Sequence, residues 1–379
     1  MRLRFLAAIG APLIAMAVAS FAPVTIASQA PTIPRTPWGD PDFQGIWRQE
    51  YQVPLERPAA YAGKEFLTDA ELAALRNRPE SENLGRDKRQ PRGTEEDVAG
   101  AYNHVWEGGD GRGRGRGNRT SMIVNPSDGR IPAFTEAAKS TIEKERAYRA
   151  ALQKDPRKAV DPGTYNVVRT NRADNPEDRD PAERCLGARV PDIGGIARIV
   201  QSPGAIAIYH EAGQGGGYNR IIPVDGTPHL PPHIRQYLGD ARGHWEGNTL
   251  VVDTTNFTRT TNFHGSRENL HLIERYTPID TNTFRYEVTV EDPTTWVRPW
   301  TVMTTMMKDN DKANLIFEST CHEGNYGLVG MLANTRAAEK AFKEGRGPDP
   351  AKMKLDIGGA EGLPPDAREQ LLREGGVRR

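Results

Sequence analysis

The sequence predicts a mainly β protein, an antiparallel meander closed as a barrel or packed as a sandwich, with peripheral helices and long loops. Three observations predict it. Phe284, Tyr286, Val288 and Val290 alternate with Arg285, Glu287, Thr289 and Glu291, the pattern of a half-buried strand. From Ile221 onward, apolar runs follow one another at short spacing, punctuated by turn residues such as Asp225-Gly226 and Asp280-Thr281-Asn282. With 38 glycines, 29 prolines and 37% hydrophobic residues, the chain calls for long connections around a β-rich core rather than a helical bundle.

Residues 1–30 read as a secretory signal peptide. Met1-Arg2-Leu3-Arg4 is a short basic start, and the apolar run from Phe5 to Ala22 is broken by Gly10 and Pro12. Ser28-Gln29-Ala30 then offers a small-x-small cleavage site, with Ala17-Val18-Ala19 an earlier one. An uncleaved signal anchor is the alternative. Cleavage after Ala30 places the mature chain in the periplasm or outside the cell, with no membrane span. Formal charge is balanced, 50 basic against 50 acidic residues, and loss of Arg2 and Arg4 leaves 48 against 50. No global field draws the protein to nucleic acid or an anionic membrane.

Residues 31–196 are expected to form an extended lead-in, helices and irregular loops packed on the core. Pro31 to Pro41 is Pro-rich and extended. Asp42 to Trp47 predicts the first strand. Thr68-Asp69-Ala70-Glu71 is a capping box whose helix runs to about Arg78, where Pro79 stops it. Glu80 to Gly117 is rich in charge and glycine and ends in Gly111-Arg112-Gly113-Arg114-Gly115-Arg116-Gly117. Such a run binds RNA in other contexts, but in so short a form it reads better as a solvated loop. Ala101 to Trp106 is aromatic enough to pack on the core or line a pocket mouth. Thr120 to Val124 predicts a strand ended by the turn Pro126-Ser127-Asp128-Gly129. Thr135 caps a helix from Glu136 to about Gln153.

Residues 197–326 are the predicted β core. Ile199-Val200 and Ala205 to Tyr209 are strands around Pro203-Gly204, and Leu250-Val251-Val252 is a buried strand. Leu270 to Tyr276 pairs with the Phe284 strand. Trp300 to Met307 and Leu315 to Cys321 form a further hairpin. Residues 327–379 are expected to hold a helix from about Thr335 to Glu344 and a flexible tail.

Cys185 and Cys321 are the two cysteines. In an oxidising compartment they predict one disulfide; the alternative makes one a nucleophile or metal ligand.

Seven of the eight histidines lie between His210 and His322. His229 and His233 are four apart, but Pro231 and Pro232 exclude the helix that would align them, and His229 reads as a turn residue. His244 and Glu246 flank Trp245 and share a strand face. His271 is either exposed or directed into a polar lumen. Two constellations follow. In one, two or three of His244, His264, His271 and His322, with Asp253 or Glu323, hold one divalent metal that activates water, zinc being the best fit; the ligand set is His244, His264, His322 and Asp253. In the other, His244, His271, His322 and Glu323 carry out acid–base chemistry without a metal. Trp245, Trp296, Trp300, Tyr326 and Arg275 would then hold the substrate. No G-x-S-x-G elbow, dinucleotide fingerprint or Cys–His zinc pattern is present.

Gly45-x-Trp47 near the first strand is similar to part of the signature of lipocalin-type barrels, and a closed form would then be calycin-like, with the sandwich as the other form. TPWGDPDFQGIW, DGRIP, DGTPHLPPHIRQYLGDARGHWEGNTLVVDTTNF, EDPTTWVRPWTV and CHEGNYG together resemble a widespread family of exported bacterial proteins, from about Thr36 to Glu339. The resemblance implies export and brings no activity or catalytic residue with it. The RGRGRG insertion and the charged C-terminal tail depart from that family's pattern.

The expected function is a hydrolase or lyase acting on a small organic or carbohydrate-like substrate. The alternative is a non-catalytic calycin-like barrel binding a small apolar or aromatic ligand. Nucleic acid is not an expected partner.

Overall fold

A computed structural model describes residues 33–76, 117–154, 175–176, 184–186, 188, 190–193, 195, 197–211, 217–310, 321–322 and 325–348. Among them, ten strands form one antiparallel sheet. These are β1 (Gly45–Gln49), β2 (Ile123–Asn125), β3 (Ala197–Ser202), β4 (Ala205–His210), β5 (Tyr218–Pro223), β6 (Asp240–Glu246), β7 (Thr249–Thr255), β8 (His271–Pro278), β9 (Thr283–Glu291) and β10 (Trp300–Lys308). Nine follow the order β5-β4-β3-β1-β10-β9-β8-β7-β6, and β2 pairs with β10 end to end with β1. The two outermost strands, β5 and β6, lie against each other, so the sheet is a nearly closed barrel rather than a sandwich.

The alternation read from the sequence is what curls the sheet around one core. The register stacks inward positions in rows across neighbouring strands. One row runs Trp300, Val290, Leu272, Thr254 and Ala241; the next runs Val302, Val288, Glu274, Val252 and Gly243; a third runs Thr304, Tyr286, Tyr276, Leu250 and Trp245. Most of these side chains are fully buried. β5 and β6 meet at a seam. A Cβ on Gly243 would come within 2.5 Å of Val224 and 3.1 Å of Ile222, so the bare backbone of β6 is what lets β5 approach.

β1 lies outside the 197–326 stretch, yet it sits between β3 and β10 and joins the two halves of the barrel. Among the described residues, three α-helices lie outside the barrel. α1 (Asp69–Arg76) opens on the expected capping box: Thr68 N–H donates to Glu71 Oε2 at 2.8 Å and Glu71 N–H to Thr68 Oγ1 at 3.3 Å. The Lys64 ammonium and the Thr68 donors hold the Glu71 carboxyl down at about 2. α2 (Glu136–Lys154) is capped by Thr135, which accepts from Ala138 N–H at 3.1 Å. α3 (Tyr326–Lys343) starts nine residues before the expected Thr335, because Asn325 accepts from Leu328 N–H and sets the helix going through Gly327 and Gly330 despite their poor propensity.

Cys185 and Cys321 form the expected disulfide, with their Cα atoms 5.6 Å apart. Among the described residues no helix is long and apolar enough to cross a membrane. The signal-like start, the 101–106 aromatic stretch, the Arg-Gly run before Gly117, the 315–320 part of the expected hairpin and the tail beyond 348 lie outside the described residues.

Candidate functional site

Chemistry-bearing side chains gather in three places on the barrel. The first is its interior. Arg220 on β5 and Glu274 on β8, 4% and 1% exposed, form a bidentate pair with Nη1–Oε1 3.0 Å and Nη2–Oε2 2.5 Å. The hydroxyls of Tyr276 and Tyr286 donate to the same Glu274 Oε1 at 3.1 and 2.9 Å, and Thr254 Oγ1 lies 3.4 Å from Arg220 Nη2. Burial pushes the Glu274 carboxyl up, but the Arg220 charge and hydrogen bonds outweigh it and hold it below its ordinary range. Burial and the facing Glu274 charge push both tyrosines well up. This set is satisfied internally and holds strands together across the lumen.

The second place is a pocket at the lumen end where β4 finishes and β9 begins. Its lining includes Trp47, Ile208, His210, Tyr276, Phe284 and Met306, and its cavity volume is about 20 Å³, room for a water molecule or the tip of a small polar group. His210, 5% exposed, has Nδ1 3.0 Å from Asp192 Oδ2 and is stacked on Tyr218 at 4.9 Å. Its Nε2 is buried and has no hydrogen-bond partner among the described residues. Gly195 leaves room for the Asp192 carboxylate, since a Cβ there would fall 2.5 Å from Asp192 Oδ2.

The third place is the outer wall at the opposite end. His229, in the β5–β6 connection, has Nδ1 2.9 Å from Asp240 Oδ2 and Nε2 3.0 Å from Asp253 Oδ1. His271 has Nε2 3.0 Å from Asp253 Oδ2 and Nδ1 3.1 Å from Glu291 Oε2. The result is a line of alternating carboxylates and imidazoles: Asp240, His229, Asp253, His271, Glu291. Arg242 closes its start, 2.8 Å from Asp240 Oδ1. The register explains the line, because His271 is paired with Glu291 and Asp253 with Ile273, placing these side chains on one outer face.

The residues singled out in the sequence are divided among these surroundings. His271 is on the outer wall, not in the lumen, and both its ring nitrogens are taken by carboxylates. His244 is exposed on the same wall, 3.3 Å from Glu246, which Arg275 also engages. The Arg275 and His244 hydrogen bonds lower the Glu246 carboxyl. His264 is exposed in a loop at φ 49°, edge-on to Phe263 and Trp300. His322 is exposed next to the disulfide, and Glu323 lies outside the described residues. His244, His264, His322 and Asp253 do not come together: among the described residues no group of three or more His, Cys, Asp or Glu side chains is arranged to hold a metal ion.

The aromatic residues divide likewise. Trp296 and Trp300, 1% and 0% exposed, pack edge-to-face at 5.6 Å in the core, where they offer no face to a substrate. Trp245 points inward and stacks on Phe43 at 6.0 Å. Tyr326 is 81% exposed at the start of α3. Sequence reasoning passed over His210, Arg220 and Glu274 and took His229 for a turn residue. Arg220 carried a readable signal, an arginine at an inward position between Tyr218 and Ile222.

Compared with known proteins, the chain matches no family model and no curated protein. A solved structure similar to part of it is that of a secretary abundant heat soluble (SAHS) protein from Ramazzottius varieornatus. The likeness covers 33% of this chain and 82% of that one, at 10% sequence identity and a TM-score of 0.23.

Proposed function

We propose that this protein is an exported β-barrel that binds a small molecule in the pocket at the β4–β9 end of its lumen. The observation that carries the reading is His210 Nε2, a buried nitrogen without a partner among the described residues, in a residue that with Asp192 lines an otherwise mostly aromatic and aliphatic pocket. Asp192 accepts the Nδ1 proton, so the neutral ring offers Nε2 as an acceptor. A cavity of about 20 Å³ takes only the tip of a ligand, so the class that fits presents a hydroxyl or N–H to His210 and keeps its apolar or aromatic body outside the cavity. Export rests on the signal-like N-terminus together with the disulfide.

The hydrolase or lyase reading draws less support, because His271 has no ring nitrogen left for a substrate. The test is a titration of the mature protein with phenols and their methyl ethers, followed by tryptophan fluorescence. Saturable binding of the phenols, weaker binding of the ethers, and loss of that preference in His210→Phe are expected. No saturable binding by either class, or an unchanged preference in His210→Phe, overturns the reading.

A further inference from the structure

The outer-wall line of carboxylates and imidazoles has a property that neither its burial nor its position accounts for: each imidazole touches a carboxylate through both ring nitrogens. An ionised carboxylate only accepts hydrogen bonds, so all four contacts are hydrogen bonds only when both rings carry two N–H groups, that is, as imidazolium ions. The charges then balance. Asp240, Asp253 and Glu291 bring three negative charges, and His229, His271 and Arg242 bring three positive ones. Loss of both imidazolium protons would leave three carboxylates against Arg242 alone and set a ring lone pair against a carboxylate oxygen.

His229 is the one member of this line that comes from a connection rather than a strand. It lies between β5 and β6, the two edges of the barrel seam. Through Asp253 it is tied to β7, and through Asp253 and His271 to β8 and β9. The Leu230 N–H donates to the same Asp240 oxygen that His229 faces, at 2.9 Å, so the backbone there shares the arrangement.

We propose that His229, Asp253 and His271 form a proton-operated latch that fastens the start of the β5–β6 connection to the barrel wall in acid and neutral solution and releases it in base. The groups facing the latch are Asp240 and Arg242 from β6, Asp253 from β7 and Glu291 from β9. Their effect agrees in sign with the geometry. The Asp253 hydrogen bond, opposed by burial, raises His271 above its ordinary 6.5. A raised histidine contributes stability fully below 6.5 and loses it as pH climbs through the higher folded value. Burial raises the Asp253 carboxyl, but the hydrogen bond and charge of His271 and those of His229 outweigh it and bring it below 3.8, so its contribution disappears only in stronger acid. The His271–Asp253 contact is therefore kept from below pH 3.8 to above pH 6.5.

The test uses the whole mature protein. At pH 6, nitrogen NMR of the imidazoles should show His229 and His271 protonated on both nitrogens. Hydrogen exchange at the Leu230 amide, corrected for its intrinsic pH dependence, should speed up on the order of tenfold between pH 6 and pH 9. His229→Gln should exchange at pH 6 as the natural protein does at pH 9. The NMR and exchange measurements on the natural protein need no variant, so a His229→Gln protein that failed to fold would not remove the test. A single N–H on either ring at pH 6, or Leu230 protection that is the same at both pH values, overturns the proposal.

Discussion

Arg220 on β5 and Glu274 on β8 clasp each other across the barrel interior through two hydrogen bonds, Nη1 to Oε1 and Nη2 to Oε2. The two strands are not neighbours, since β6 and β7 lie between them round the seam, so this pair reaches through the lumen rather than running along the wall. Removing one partner leaves the other charged and buried, which costs about 3–5 kcal/mol. Glu274→Gln is expected to lower the unfolding free energy from urea titration by that amount, and the Tyr276 and Tyr286 hydroxyls lose part of their acceptor as well. Arg220→Met combined with Glu274→Leu should cost less than the sum of the two single changes. A double-mutant cycle from urea unfolding checks it, and strict additivity would show the pair uncoupled.

Asp292, at the end of β9, organises the turn that carries Trp296. It accepts from Ser266 Oγ at 2.6 Å, from both hydroxyls of Thr294 and Thr295, and from their backbone N–H groups. Burial works against the charge, but these donors hold the carboxyl below its ordinary 3.8. Its stabilising effect is therefore present above pH 3.8 and is lost as pH falls through the lower folded value. Asp292→Asn should destabilise at pH 7 by about 2–4 kcal/mol. It should also lose less of its remaining stability than the natural protein between pH 5 and pH 2, measured by urea midpoints across that range.

The seam between β5 and β6 is closed by shape. Gly243→Ala places a methyl group 2.5 Å from Val224 Cγ1, with Ile222 behind it. An overpacked core costs about 1–3 kcal/mol, and here the strain falls where no ladder of hydrogen bonds resists it. Lower thermal stability with faster hydrogen exchange confined to β5 and β6 is expected. Uniform loss across the barrel would mean that the seam is not the site of yielding.

The disulfide joins positions 136 residues apart. Closing so long a loop in the unfolded chain contributes about 5 kcal/mol in the chain-entropy account. Cys321→Ser should lower stability by that order under oxidising conditions and leave the protein insensitive to dithiothreitol, whereas the natural protein loses the same stability on reduction. Equal unfolding midpoints for the two proteins without reductant would contradict this.

The barrel was legible because its strands are two-sided. Phe284 to Val290 shows strict alternation, and the structure buries the apolar set and leaves its partners half-buried, with Arg285 exposed. The helices at Thr68 and Thr135 were legible through their caps, which are local. The histidine line was only half legible. His244 and Glu246 share a face by spacing alone, but His271 meets Asp253 through strand register, and His229 meets it through the path of a proline-containing loop. Neither is written in local sequence. The inward Arg220 was missed for a related reason. A buried charge is recognised by its partner, and Glu274 lies 54 residues away on a strand that β5 does not touch in the sheet. The tryptophans were misplaced because an aromatic residue reads the same whether it stacks on a ligand or fills a core.

The place of β1 between β3 and β10 bears on how the chain is assembled as it is made. The meander from β6 to β10 pairs neighbours in order and can form as it emerges, and so can β3 to β5. β1 is the earliest of these strands to be synthesised, yet Gly45 waits for Ile199 and Trp47 waits for Lys308. Until both have appeared, the two sheets have no strand to join them, and the first turn of synthesis supplies the last piece of the wall. Assembly of this protein is thus a late event, set by the arrival of β10 rather than by the pace of its local hairpins.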